Sequence, residues 1–176
     1  MLQGTIPHPT PPYTRRMATG LTRRRVLLTA GLLGPAVALT ARLRRYEIAE
    51  RSMEPGLRPG DYVMTMAMRR APRRGDVVIL TGPHLPGLEL AKRVVGLAGE
   101  TVAITGGRLL VDRDGGADRW GHGPATPDGE WPVPAGHVFV IGDNRPLSSG
   151  DSPTTGPVPV EAVRWRVVGR YGRRRA

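Results

Sequence analysis

Thr101-Val102-Ala103-Ile104-Thr105-Gly106-Gly107-Arg108-Leu109-Leu110-Val111 is the stretch on which the fold class turns. Two short runs rich in β-branched and aliphatic residues, 101–104 and 108–111, flank a Gly-Gly pair, and that pattern predicts a β-hairpin with a tight turn. Similar runs occur on both sides of it. Upstream stand 62–64, 77–80 and 93–96, and downstream 138–141 and 163–168, each bounded by Gly or Pro at short intervals. No stretch after Ala41 has the length and periodicity of a long helix. The sequence therefore predicts a mainly β domain, a compact antiparallel sandwich or open barrel. Residues 112–134, rich in Gly, Pro and Asp, predict an irregular excursion between strands.

Charge divides the 176-residue chain into unequal parts. The formal net charge is +11, but residues 1–45 hold eight arginines and no acid, and the rest holds 18 basic against 15 acidic groups. A body carrying only +3 argues against nucleic acid as the partner, because the excess brackets an apolar run and forms no stripe on the domain. Cysteine is absent, which excludes disulfide frameworks, zinc ribbons and thiol catalysis. The four histidines, at 8, 84, 122 and 137, have no ligand-like spacing. Of the 26 basic residues, Lys92 alone is lysine.

The apolar run is 26–41 (VLLTAGLLGPAVALTA), preceded by Arg23, Arg24 and Arg25 and followed by Arg42, Arg44 and Arg45. Sixteen uncharged residues are at the short limit for a spanning helix, yet the run is apolar all round and bounded by arginines, which is membrane-like patterning. The expected organisation is a disordered cytoplasmic N-terminus at 1–22, a membrane anchor with arginine flanks at 23–45, a catalytic domain at 46–170 and a basic tail at 171–176. Two other readings of the run remain open: a cleaved export signal, since Thr22-Arg23-Arg24 is of twin-arginine type and Ala36-Val37-Ala38 is a small-x-small site, and a helix of the domain itself. Translation starts at Met1 or at Met17.

Chemistry is carried by short boxes in order: Ser52-Met53-Glu54-Pro55, Gly75-Asp76-Val77-Val78, Lys92-Arg93-Val94-Val95-Gly96, and Gly142-Asp143-Asn144-Arg145 with Ser149-Gly150-Asp151-Ser152. Alone, Ser52 reads as a turn residue and Lys92 as an edge charge. Together they offer a nucleophile and a base. A serine hydroxyl is a poor nucleophile until its proton is taken, and a lysine buried among apolar side chains such as Leu90, Val94 and Val95 can be neutral enough to take it. A backbone N–H in the turn at Ser52 is placed to meet an oxyanion.

In this order the boxes resemble those of the type I signal peptidases, membrane-anchored serine proteases with a Ser/Lys dyad, in a small version of actinobacterial or organelle type. The resemblance covers residues 46–169 and the preceding anchor. It implies Ser52 as nucleophile and Lys92 as general base, with Asp143, Asn144 and Arg145 as supporting residues. It further implies that Ser149 hydrogen-bonds the lysine, that Asp151 is a structural carboxylate, and that Met53 and Pro55 adjoin the substrate. It implies no cofactor. The substrates it implies are exported preproteins with small residues at −3 and −1, bound as an added strand. The domain would lie on the outer side of the plasma (inner) membrane, against lipid, on a single-pass anchor; the sequence leaves the oligomeric state open, with a monomer as the default expectation.

Three positions depart from the pattern. Glu50 stands where a small or hydroxyl residue is common and is expected to point away from the oxyanion. Pro153 replaces an arginine that would pair with Asp151, for which Arg145 is a substitute partner. Ala98 replaces a turn proline. Competing readings are a maturation protease dedicated to one precursor, an inactive membrane-anchored binding homologue, and a repressor-type autoprotease, whose DNA-binding helices residues 1–45 do not supply.

Overall fold

The computed structural model describes residues 42–82, 87–112 and 118–173. The expected N-terminal segment and membrane anchor lie outside these residues. Among the described residues no helix is long and apolar enough to cross a membrane.

Ten strands form two antiparallel sheets. The larger has the order β1 (Leu43–Glu47), β2 (Asp61–Ala67), β10 (Val163–Arg173), β3 (Val77–Thr81), β4 (Glu89–Gly96), β8 (His137–Ile141) and β9 (Val158–Pro159); the smaller is β6 (Arg108–Val111), β5 (Thr101–Thr105) and β7 (Gly129–Pro132). Every strand run expected from the sequence lies in one of these strands. The β5–β6 hairpin turns on Gly106 and Gly107, at φ 55° and 79°, the positive values that such a turn requires and that glycine adopts without strain.

Three boundaries differ from expectation. Residues 112–134 are not irregular throughout, because β7 pairs with β5 from Thr101 to Ile104. Its sequence, Gly-Glu-Trp-Pro, has no apolar alternation, so only its pairing makes it a strand. Arg44 and Arg45, placed by the sequence in the segment before the domain, are strand residues in β1, paired with Thr65 and Met64. Residues 171–173 end β10 and do not belong to a tail.

Alternation along β4 organises the interior. Val94 packs with Val78, Leu80, Val138 and Val140, whereas Val95 packs with Val102, Ile104 and Phe139 beneath the small sheet. Successive side chains point to opposite faces, so one strand serves both clusters. A third cluster of Ile48, Met53, Leu57 and Val63 holds the segment between β1 and β2.

That segment is also tied from below. Asp61 is fully buried and accepts hydrogen bonds from the Arg58 N–H (2.9 Å), Arg173 Nε (2.6 Å) and Arg170 Nη1 (3.1 Å). The Arg173 guanidinium, ahead of the other donors, holds this carboxyl well below the usual carboxylate range despite burial. Asp61→Asn is expected to cost about 1–2 kcal/mol at neutral pH, the smaller part of the range for a buried pair because both guanidinium partners are half in water. The contribution is complete above the unfolded carboxylate value and is lost as pH falls through the lowered native one. Urea unfolding of both proteins should therefore show a gap at pH 7 that shrinks towards pH 2; a constant gap contradicts the assignment.

Candidate active site

Ser52 lies in the turn between β1 and β2. The Leu57 N–H donates to the Met53 carbonyl (2.9 Å) and the Glu54 N–H to the Arg51 carbonyl (3.1 Å), which closes the turn locally. The Asn144 N–H donates to the Ser52 carbonyl (2.9 Å) and Asn144 Nδ2 to the Arg51 carbonyl (3.3 Å), so the Gly142–Arg145 box grips the turn from the other side.

Lys92 is in β4, and its side chain is 2% exposed. It shares the face of Val78, its cross-strand partner, while Arg93 faces the other way. Lys92 Nζ donates to Ser148 Oγ (2.8 Å) and to the Ser149 carbonyl (2.8 Å) and stands 3.8 Å from Asp151 Oδ2. Burial pushes the lysine below its ordinary value; the charges of Asp151 and Glu50 oppose that shift without cancelling it. Ser52 and Lys92 line one cavity of about 410 Å³, together with Met53, Ser149 and Glu50.

Arg93 binds Asp143 through two bonds, Nε to Oδ1 (2.7 Å) and Nη2 to Oδ2 (2.5 Å), and lies over the Trp120 ring at 5.1 Å. The pair joins β4 to the Gly142–Arg145 box. Neighbouring residues of one strand thus do separate work: Lys92 faces the cavity and Arg93 fixes the loop that holds the Ser52 turn.

Several expectations require correction. The hydroxyl that meets the lysine belongs to Ser148; Ser149 contributes its carbonyl oxygen. Two adjacent serines are indistinguishable in sequence, and the 3₁₀ turn at Arg145–Leu147 decides which one is turned inward. Arg145 is not the partner of Asp151. It is buried, donates to the Gly142 carbonyl (2.9 Å) and pairs with Asp118, while Asp151 faces Lys92, accepts from Ser148 Oγ, and takes the Gly142 N–H at 3.3 Å. Pro55 lines a different cavity, with Arg58 and Asp61. Glu50 does not turn away from the site, since it lines the cavity with Ser52 and its charge acts on Lys92. The Arg93–Asp143, Arg145–Asp118 and Ser148 contacts had no separable signal in the sequence.

Ser148→Ala is expected to slow peptide cleavage about tenfold, the equivalent of one lost hydrogen bond that orients the lysine. Ser149→Ala should have a much smaller effect, because its contact is made by the backbone. Steady-state kinetics of the two variants test the assignment, and the reverse order contradicts it.

Comparison with known proteins agrees with this architecture. Residues 22–171 match the family described as "Signal peptidase, peptidase S26". The chain is 34% identical over 157 residues to a signal peptidase I from Leptolyngbya laminosa, covering 79% of this chain and 76% of that one. It is 30% identical to a signal peptidase I from Pseudomonas fluorescens, of which it spans about half (52%, with 59% of this chain covered). It is 31% identical to mitochondrial inner membrane protease subunit 1 from Xenopus tropicalis, covering 66% of this chain and 61% of that one. With a two-walled Ser/Lys cavity built from its ordered boxes and a family match over most of its length, the chain belongs to the signal peptidase (peptidase S26) family of serine endopeptidases.

Proposed function

We propose that the protein cleaves signal peptides from exported preproteins after small residues, with Ser52 as nucleophile and Lys92 as general base. The observation that carries this reading is the presence, in one cavity, of Ser52 and of a buried lysine whose proton affinity is lowered by desolvation. Lys92 takes the Ser52 proton as Oγ attacks the scissile carbonyl. The tetrahedral oxyanion meets a backbone N–H of the Ser52 turn, a donor of a kind worth about 3 kcal/mol of barrier. The protonated lysine then gives its proton to the leaving amine, and a water that it deprotonates in a second cycle hydrolyses the acyl-enzyme. Ser148 and the Ser149 carbonyl hold the amine in place throughout.

The sheet supplies a place for substrate. β4 pairs with β3 from Glu89 to Arg93, but with β8 only from Arg93 onward, so its first half has one edge unpaired among the described residues. An extended peptide can add there as a strand beside Lys92. The apolar floor of Ile48, Met53 and Ile79 suits small side chains.

The arginine-bracketed run 26–41 supports a single-pass anchor; with arginines on both flanks it sets no orientation, and the outer side is proposed for the catalytic domain because exported preproteins are its proposed substrates. Incubation of the full chain with a preprotein carrying an A-x-A site, followed by mass spectrometry of the products, tests the reading. Cleavage directly after the second alanine is expected. No cleavage, or cleavage elsewhere, overturns it.

A further inference from the structure

The catalytic cavity carries a charge opposite to that of the chain. Three carboxylates, Glu47, Glu50 and Glu89, line it, in a protein whose formal net charge is +11. Lys92 is the one basic residue lining it among the described residues, and its amine is buried against Ser148, the Ser149 carbonyl and Asp151. Glu50 and Glu89 thus place exposed negative charge at the cavity, and Arg44 is a cation that adjoins it through the Tyr46 hydroxyl.

Two of these acids come from different segments of the chain. Glu50 is exposed two residues before Ser52; Glu89 is exposed on the half of β4 that has an open edge, on the face of the strand opposite to Lys92, and both line the cavity. The Tyr46 hydroxyl donates to Glu89 Oε1 (3.1 Å), which steadies that carboxylate. Ile48, Met53 and Ile79 line the same cavity and supply its apolar surface. An extended peptide alternates its side chains, so the residues that enter an apolar floor at −3 and −1 leave the residue between them directed at the rim.

Resting on the Ser/Lys reading of the cavity, we propose that Glu50 and Glu89 form a cation-selecting rim, so that preferred precursors carry Lys or Arg at −2, between the two small residues. Two exposed ion pairs are each weak, and together they amount to about five- to tenfold in kcat/KM at low ionic strength, shrinking as salt screens them.

The test uses the full chain and three peptides that differ only in x of A-x-A: Lys, Gln and Glu. Wild type should prefer Lys over Gln over Glu. The variant Glu50→Gln/Glu89→Gln, which retains the size of both side chains and an acceptor for Tyr46, should bring the Lys:Gln ratio close to one, and Glu50→Lys/Glu89→Lys should reverse the order. No preference in wild type, or a preference that survives in the double Gln variant, overturns the proposal. Titration of the same peptides into Ser52→Ala separates the two readings. Binding in the order Lys, Gln, Glu without cleavage by wild type leaves the rim standing and overturns the Ser/Lys chemistry; cleavage without any order does the opposite; neither cleavage nor ordered binding overturns both.

Discussion

Replacing Lys92 with Arg should lower kcat/KM on an A-x-A substrate by about a thousandfold or more, although charge and approximate length are retained. The reason is protonation. Arginine does not release its proton at any working pH, and removal of a positioned general base costs roughly 10²–10⁴-fold. Ser52→Ala should be equally inactive, and the double variant no worse than either single one, because the two groups act as a unit. Circular dichroism separates inactivity from unfolding. For the same purpose Lys92→Met, which keeps much of the side-chain volume, should still fold but be less stable than wild type, since it leaves the buried Asp151 carboxylate and the Ser149 carbonyl without the amine. Substantial activity in Lys92→Arg contradicts the base assignment.

The pH profile follows from the same group. Burial places the lysine below its ordinary 10.5, so kcat/KM should rise with pH through that lowered value and level off before 10.5. Asp151 favours the charged amine, hence Asp151→Asn should move the acid limb to still lower pH. Stability has a defined sign here. Between the lowered native value and the ordinary unfolded one the unfolded chain binds more protons, so stability increases as pH rises through that window and is lower, and constant, below it. An acid limb at or above 10.5 would count against a buried neutral base.

The second large effect is expected at Gly142. A Cβ there would lie 2.5 Å from the Ser52 carbonyl and nearer still to Ser148 Oγ, and the Gly142 N–H donates to that hydroxyl at 3.0 Å. Gly142→Ala must therefore push apart the nucleophile turn and the serine that holds the lysine. Displacement of catalytic groups by about 1 Å can cost 10²-fold, and overpacking a tight site about 1–3 kcal/mol of stability. Gly169→Ala is the control, because its Cβ meets nothing within 4 Å. Kinetics and thermal unfolding of the two variants check the point; wild-type turnover in Gly142→Ala would show that the two segments are not in mutual contact.

Much of the fold was legible because β-hairpin chemistry is local. Gly106-Gly107 and the apolar runs around it predict β5 and β6 without any knowledge of the remainder. β7 was not legible, since Glu130 and Trp131 become strand residues only by lying along β5. The nucleophile and base were legible as ordered boxes and as the lone lysine among arginines. Their surroundings were not. Which serine meets Lys92, which cation meets Asp143, and where Glu50 points all depend on residues far apart in sequence, such as the 56 positions between Lys92 and Ser148.

The amino-acid sequence by itself determined a mainly β body, a charge excess placed around an apolar run, and the presence of a single lysine among 26 basic residues. Those properties belong to residue types and short-range pattern. Only the tertiary structure decided that this lysine is desolvated, that it shares a cavity with Ser52, that Ser148 rather than Ser149 orients it, and that acids rim the cleft. Burial and hydrogen-bond partnership are set by strand register and loop packing across the chain, and a linear pattern carries no record of either.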